Sequence, residues 1–306
     1  MTELVDLARG AAVAERPLVA LRLAGPDARR FANNMFTNNV RDLAPGAANR
    51  HALTDDRGRV QGFLDLLCEA DDAFVAFVEG MTTEAFVERF EKYIVFDDVE
   101  MTPLDGLSGR LVLGIGAAAG VAGADLPVPE PGTFASGDWG YAWRQALGPT
   151  PAAGIGLALR EPARLADIAP LSDESFAIAR VLAGHVTFPD DTGPKALPHE
   201  LGLRDVVLAF DKGCYLGQES INRIDVMGQV KRHLRVVRMS GPVPEVRQIR
   251  HADKAVGELT SPVQIGPVTV GLAILKQAAA EPATEVQVGD VTGTVLTAPV
   301  SLDSIL

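Results

Sequence analysis

The spacing of hydrophobic residues changes along the first hundred positions, and each change predicts a new element. Residues 18–25 have the composition of a strand, and the next segment places Phe31, Ala32 and Met35 at helical spacing. The chain is therefore expected to begin its first folded unit with a strand followed by a helix.

An alternation with a period of two follows this helix. Within residues 59–70 four apolar side chains are expected to share one face of a strand: Val60, Leu64, Leu66 and Cys68. This position predicts that Cys68 is a small buried hydrophobe with a structural role.

Three further segments complete the unit. Residues 73–80 return after a polar turn as the second arm of a hairpin, helical spacing resumes at 82–96, and 97–104 is expected to be a closing strand. The order β-α-β-β-α-β is that of a split ferredoxin-like unit.

A second, weaker copy of this pattern follows. A strand is predicted at 109–116, a strand pair at 138–147 and 154–161, and a helix at 172–184 that begins after Ser172 as N-cap and stops at Gly184.

The chain becomes rich in short strands after residue 234, with glycine and proline turns between them, which favours a small all-β barrel or sandwich. We therefore predict an α+β protein. Its first region, 1–234, holds two lobes at about 1–105 and 106–234, and residues 235–306 form a C-terminal β-barrel.

Composition narrows the possible functions. The 306 residues are 47% hydrophobic and 22% charged, with a formal net charge of −12, so direct binding of a nucleic acid is not expected. No apolar run has the length of a membrane span and the N-terminus does not resemble a leader, so we expect a cytoplasmic protein.

Cysteine and histidine usage limits the kinds of site. Two distant cysteines do not form the disulfide framework of a small secreted domain, and the five histidines have no metal-ligand spacing. No metal site is predicted.

One short stretch, "KGCYLGQE" at 212–219, places a rare thiol between glycines. A helix is expected from residue 218 until Gly228, so Cys214 is predicted to lie just before a helix N-terminus, with Lys212 nearby. Both features favour a reactive thiolate. The alternative is an ordinary turn in which Cys214 only packs, and the stretch alone does not choose between them.

The surroundings of this thiol are unusually polar. Within twenty-one residues the chain carries eight groups suited to binding an anionic, partly aromatic ligand: Lys212, Cys214, Tyr215, Gln218, Glu219, Arg223, Lys231 and Arg232. Tyrosine can stack, amide and carboxylate groups can bond to the edge of a heterocycle, and basic groups can pair with carboxylates. Folate fits this description, and so do many nucleotides.

The segment 212–234 resembles the signature of the YgfZ family, K-G-C-Y-x-G-Q-E followed by a basic residue and G-x-x-K-R. The opening strand and helix, the hairpin "DDRGRVQGFLDL", the segment "EKYIVFDDVEM" and the stretch "LPHELGL" with Glu200 also resemble that family. The resemblance covers nearly the whole chain.

This resemblance implies two intertwined lobes and a barrel around a cavity that binds tetrahydrofolate, with Glu200 and the signature residues near the ligand. It also implies support of the assembly or repair of iron-sulfur enzymes, including enzymes that thiomethylate tRNA, with Cys214 as the active thiol. Its expected partners are iron-sulfur enzymes or their assembly factors. The residues do not define a reaction that the protein itself would catalyse.

The related glycine cleavage T-proteins carry ionic groups that this chain lacks. Leu182 stands where they have a glutamate, Gly62 and Phe63 stand at the register of an aspartate, and Gln218 replaces an arginine. A folate-dependent one-carbon transferase is therefore the second hypothesis. A third is a folate-binding scaffold in which Cys214 only packs.

Overall fold

The computed structural model describes residues 2–7 and 10–305. The helices of this part, in chain order, are α1 (Thr2–Leu7), α2 (Ala28–Met35), α3 (Thr83–Glu91), α4 (Ala117–Gly123), α5 (Asp173–Ala183), α6 (Arg204–Val207) and α7 (Gln218–Met227).

The strands divide among two open sheets and a barrel. Those of the first 160 residues are β1 (Ala12–Arg16), β2 (Val19–Ala24), β3 (Ala48–Thr54), β4 (Val60–Ala70), β5 (Ala73–Glu79), β6 (Glu100–Pro103), β7 (Ser108–Leu113), β8 (Phe134–Gly137), β9 (Gly140–Leu147) and β10 (Thr150–Leu159). Those that follow are β11 (Ala169–Pro170), β12 (Arg232–Ser240), β13 (Gln248–His251), β14 (Lys254–Ile265), β15 (Val268–Lys276), β16 (Glu285–Val288) and β17 (Val291–Leu296).

Sheet 1 has the strand order β3-β4-β5-β2-β6. Within it, β2, α2, β4, β5, α3 and β6 follow the predicted β-α-β-β-α-β order. Helices α2 and α3 cover one face, where Phe31, Phe86 and Phe90 are buried against Leu64 and Phe74 of the sheet. The apolar periodicity of this region was therefore a sound guide to its architecture.

Sheet 2 has the order β11-β1-β7-β10-β9-β8. Strand β1 precedes all of sheet 1 in the chain, yet it pairs antiparallel with β7, with Ala12 opposite Leu113. Helix α5 packs near this sheet and has the predicted caps, because Ser172 Oγ accepts from Ser175 N and Gly184 is left-handed with φ 71°. The two lobes are intertwined because β1 belongs to the second sheet.

The C-terminal strands form a closed barrel in the order β12-β15-β14-β13-β16-β17. Its interior is apolar, with Val237, Leu259 and Val286 buried. The predicted α+β class, with two ferredoxin-like lobes and a small C-terminal barrel, is confirmed.

A buried ionic cluster joins the barrel to α5. Asp191 Oδ2 accepts from Arg180 Nη1 at 2.8 Å and from Thr187 N at 2.9 Å. Its Oδ1 accepts from two barrel hydroxyls, Thr260 Oγ1 at 2.7 Å and Ser261 Oγ at 2.6 Å. Burial opposes the ionisation of Asp191, but Arg180 and these donors outweigh it and lower the pKa of the carboxyl.

Two details of sheet 1 differ from the sequence-based prediction. Val60 does not share a face with Leu64, because a bulge shifts the register where Leu53 pairs with Gly62 and Thr54 with Val60. Val60 packs instead in a separate core cluster. Strand β3 was not predicted, since its buried positions include polar side chains.

Helix α3 is also shorter than expected. It ends at Glu91 rather than near residue 96, and the chain from 92 to 99 forms an irregular connection to β6. As a result, Val95 and Phe96 are exposed instead of packing on the helix.

Candidate functional site

The two sheets face each other across a cleft with aromatic walls. The Phe77 ring of β5 stacks on the Trp143 ring of β9, with centroids 4.3 Å apart and an interplanar angle of 6°. Tyr141 meets the same phenylalanine edge-on at 5.6 Å. Because β-strand side chains alternate, Asp65 of β4 lies on the face opposite to Leu64 and Leu66, towards this cleft.

A buried arginine organises the polar groups of the cleft. Arg50 Nη1 donates to Asp65 Oδ2 at 2.8 Å, and its Nη2 donates to Glu79 Oε2 at 2.8 Å. The second oxygen of Glu79 accepts from Gln145 Nε2 of sheet 2 at 2.6 Å. Glu79 therefore connects the two lobes through hydrogen bonds.

The charges of this cluster are set by burial and by one another. Burial disfavours the charged forms, but Arg50 and His185 outweigh this effect at Glu79 and lower its pKa to about 2. At Asp65 burial dominates over Arg50 and raises the pKa. Burial lowers the pKa of His185 to about 4 although Glu79 opposes it, so this imidazole is neutral near pH 7.

Two cavities open on either side of this cluster, with volumes of about 50 Å³ and about 170 Å³. Both are lined by Asp65 and Trp143. Trp143 Nε1 is buried beside the Asp65 carboxyl, and this N–H opposes the rise in the pKa of that carboxyl. The cleft thus gathers carboxylates and aromatic side chains between the two sheets, a composition that suits a flat heterocycle with several polar edge atoms.

Lys212 of the signature stretch lies elsewhere and points inward. Its ammonium donates to the carbonyl oxygens of Phe36 and Asn38, the latter at 2.7 Å, and lies 4.9 Å from the centroid of the Tyr215 ring. Burial, with a smaller contribution from Arg41, lowers the pKa of Lys212 to about 7. The ammonium group therefore binds carbonyls that follow α2 and is not exposed at the surface.

Tyr215 is buried in the core and only 6% exposed, so its ring is not open for stacking on a ligand from solvent. Burial, with a smaller contribution from Asp225, raises the pKa of Tyr215. Gln218 is the first residue of α7 and half-buried. The prediction that α7 begins just after the thiol loop and ends before Gly228 is confirmed.

The two cysteines differ in exposure, as predicted from their positions. Cys214 is exposed and Cys68 is buried. Arg29 Nη2 donates to Cys68 Sγ at 3.4 Å, but burial outweighs this contact and raises the pKa of the Cys68 thiol. Cys68 is therefore both shielded and hard to ionise.

The loop that carries Cys214 fits tightly against sheet 1. Leu216 N donates to Asn34 O at 3.2 Å, and Thr54 Oγ1 donates to Leu216 O at 2.7 Å. Gly217 is left-handed with φ 84°, and a Cβ there would lie 2.4 Å from the carbonyl oxygen of Asp55. Glycine is required at this position because a side chain has no space.

The remaining predicted residues form two separate groups. Arg232 binds Glu200 through two parallel hydrogen bonds, Nε to Oε1 at 2.8 Å and Nη2 to Oε2 at 2.7 Å, at the edge of the barrel. Glu219 and Arg223 form an exposed ion pair at 3.0 Å on α7. Lys231 is exposed. The structure therefore does not gather the predicted ligand residues into one pocket.

Sequence reasoning missed the polar residues of the cleft: Arg50, Asp65, Glu79, Trp143, Gln145 and His185. One signal was present, since Asp65 interrupts an otherwise apolar strand at a position facing away from the core of α2 and α3. The pairing of that position with sheet 2 depends on contacts between lobes, which periodicity within one strand does not contain.

No helix between residues 2–7 and 10–305 combines the length and apolar character needed to cross a membrane. The same residues hold no group of three or more His, Cys, Asp or Glu side chains placed to bind a metal ion.

The fold was compared with known proteins. No protein-family model matches the chain. An uncharacterized protein of Haemophilus influenzae is 22% identical over 216 residues, which cover 69% of this chain and 68% of that protein. The crystal structure of glycine cleavage system aminomethyltransferase T from Bartonella henselae matches with a TM-score of 0.82 at 17% identity, covering 97% of this chain and 88% of that one. The protein therefore has the fold of aminomethyltransferase T.

Proposed function

We propose that the protein binds a reduced folate in the cleft between the two sheets. The observation that carries this proposal is the pair of cavities beside Asp65 and Trp143, in a chain with the fold of aminomethyltransferase T. A pterin ring has N–H groups that can donate hydrogen bonds to carboxylates, and a flat face that can pack against aromatic side chains. The sequence-based prediction places the ligand near residues 212–232 instead.

The finer proposal is a role as an accessory protein for iron-sulfur enzymes, including those that modify tRNA, as the resemblance to the YgfZ family implies. The support is the exposed Cys214, held in a loop that packs tightly against sheet 1 while its thiol faces solvent. A rigid loop with an open thiol suits reaction with a partner protein. Such a role would be exercised in the cytoplasm.

Aminomethyl transfer is the second candidate and is less well supported. Leu182 and Phe63 are buried apolar side chains where T-proteins have ionic groups. Asp65 lies two residues beyond Phe63 on the same face of β4, but it is engaged by Arg50. Loss of one preorganised group commonly costs about 10²-fold in rate. We expect no ammonia release from an aminomethyl-lipoyl carrier.

Calorimetric titration with mono- and polyglutamylated tetrahydrofolate tests the folate proposal. Asp65→Asn is expected to weaken binding at least about tenfold, because a charge-assisted hydrogen bond is lost. Asp71→Asn, an exposed carboxylate at the end of the same hairpin, is the matched control and should bind as the wild type does.

If Asp65→Asn does not fold, folate binding is measured with Gln145→Leu instead, because this variant leaves the Arg50–Asp65 pair intact. Thermal unfolding without ligand verifies each variant. Wild-type protein that binds no reduced folate at millimolar ligand would refute the proposal.

The role of Cys214 is tested separately. Alkylation of the native protein should modify Cys214 first, because Cys68 is buried and its pKa is raised. Cys214→Ala should keep the fold and folate binding, yet fail to restore iron-sulfur enzyme activities in a strain that lacks the protein. If this variant fully restored the activities, the remaining hypothesis would be a folate-binding scaffold in which Cys214 only packs.

A further inference from the structure

The segment "EKYIVFDDVEM" is not explained by the folate cleft, and it leaves large apolar side chains in solvent. Phe96 is 94% exposed and Val95 is 67% exposed. Both lie on the connection between α3 and β6, which is anchored by Arg30 to Asp97 at 2.8 Å. Adjacent exposed aromatic and aliphatic groups on an ordered connection are a mark of a binding surface.

This connection joins the two elements that border a groove, α3 and β6. The groove has a volume of about 740 Å³, and its apolar lining comes from Val87, Met101 and Pro103. Lys92, at the end of α3, and Met101, in β6, lie at the two ends of the connection and both line the groove. Val95 and Phe96 lie between these two lining residues in the chain, so the connection places them next to the groove.

The rim of the groove is acidic. Glu84, Glu88 and Glu91 recur at spacings of four and three, so they share one face of α3 and all line the groove. Lys92 is the one basic group among its lining residues in the described chain. A partner that covers this surface must bring positive charge together with apolar side chains.

Pairing of a partner's β-strand with the edge of sheet 1 is a weak way to fill this groove. Strand β6 is the edge of sheet 1 and pairs only with β2 there. Because Leu104 N donates to Ala20 O, the alternation of an antiparallel pair directs the backbone of Met101 and Pro103 outward. Proline has no N–H, so Met101 alone offers both a donor and an acceptor.

We propose that the groove between α3 and β6, extended by Val95 and Phe96, docks a basic amphipathic helix of a partner protein. The apolar face of that helix covers Val87, Met101 and Phe96, and its Lys or Arg side chains meet Glu88 and Glu91. Side-chain contacts carry the recognition, because the edge of β6 supplies few backbone partners. The proposal is independent of folate binding.

Fluorescence anisotropy with a labelled Leu/Lys peptide of about five helical turns tests this docking. A second peptide of the same composition, with strict alternation of Leu and Lys, measures strand addition. The helix-patterned peptide should bind more tightly. Stronger binding of the strand-patterned peptide would overturn the proposal.

The variants separate this groove from the general acidity of the chain. Phe96→Ser should weaken binding of the helical peptide at least about tenfold, as expected when a large aromatic contact is lost, and Glu88→Lys should also weaken it. Glu245→Lys changes an exposed carboxylate outside the groove, and Val226→Ser an exposed apolar residue on α7. Both controls should leave binding unchanged.

Equal loss of binding in Glu245→Lys and Glu88→Lys, or no effect of Phe96→Ser, would show attraction to net charge alone and refute the docking site. Phe96 and Glu88 are exposed, so their variants are expected to fold. Circular dichroism and thermal unfolding check this expectation.

Discussion

Lys212 carries an ammonium group into the protein interior, where two backbone carbonyls replace its hydration. Burial makes the charged form costly and lowers the pKa of this lysine from 10.5 to about 7. Lys212 thus attaches the Cys214 loop to the end of α2. Protonation of this one residue is thereby coupled to folding.

The sign of that coupling gives a prediction for pH dependence. Between a folded pKa of about 7 and an unfolded pKa of 10.5, the unfolded chain binds more protons at Lys212 than the folded protein does. The free energy of unfolding should therefore rise with pH in this window, by up to about 1.4 kcal/mol per unit, relative to Lys212→Met.

Urea unfolding of both proteins at several pH values from about 6 to 9 measures this difference, which should be flat below pH about 7. Lys231→Met serves as a control for removing an exposed lysine from the same segment. A wild-type advantage that does not change with pH would contradict the prediction.

At this scale the sequence identified which residues are unusual better than it identified what they contact. The exposure of Cys214 and the burial of Cys68 followed from a glycine-flanked turn and from a strand face. The inward direction of Lys212 did not follow, since its carbonyl partners lie far away in the chain. Arg50 and Asp65 were missed for the same reason.

At the scale of elements, α7 is bounded by two left-handed glycines with different surroundings. Gly217 has φ 84° and Gly228 has φ 62°. A Cβ on Gly217 would lie 2.4 Å from Asp55 O and 2.7 Å from Gly58 Cα, whereas a Cβ on Gly228 would meet nothing within 4 Å. Alanine at Gly228 would therefore introduce backbone strain alone, whereas alanine at Gly217 would add a steric clash.

Alanine at each position should show that difference. Gly228→Ala is expected to cost about 1 kcal/mol of unfolding free energy, which is the left-handed strain alone. Gly217→Ala should cost roughly 3 kcal/mol, because the loop must also move away from the β3–β4 turn. Denaturant unfolding measures both, and equal losses would show that the close approach is unimportant.

Elements with a clean hydrophobic period were predicted from the sequence, including α5, the β4–β5 hairpin and the barrel strands. Strand β3 was not, because Arg50 and His51 occupy buried positions in it and break the apolar pattern. The last turn expected for α3 was wrong, since periodicity continued past the point where packing on sheet 1 ends. Tertiary contacts decide such boundaries.

At the scale of the whole molecule, the barrel is held to the second lobe through Asp191, whose side chain is fully buried and bound by α5 and by two barrel hydroxyls. This single carboxylate serves three segments at once. The contact between barrel and lobe therefore includes a charge that has no access to solvent, beside the apolar packing of α5 on the barrel strands.

Asp191→Asn should lower the free energy of unfolding by about 3 kcal/mol, because Arg180, whose side chain is 13% exposed, loses its counter-charge. Asp190→Asn changes the exposed neighbouring carboxylate and should have little effect. Thermal and urea unfolding compare the two variants. A similar stability of both would mean that the barrel is held by apolar packing alone.

The placement of β1 in sheet 2 has a consequence for how the chain is made. During synthesis β1 leaves the ribosome before any part of sheet 1, and its partner β7 follows only after that whole sheet has emerged. The N-terminal segment must remain without its sheet partner until then, so the second lobe cannot complete its hydrogen bonding without a strand made before the first lobe. A division of the chain between the lobes would separate β1 from β7 and leave sheet 2 without one of its strands.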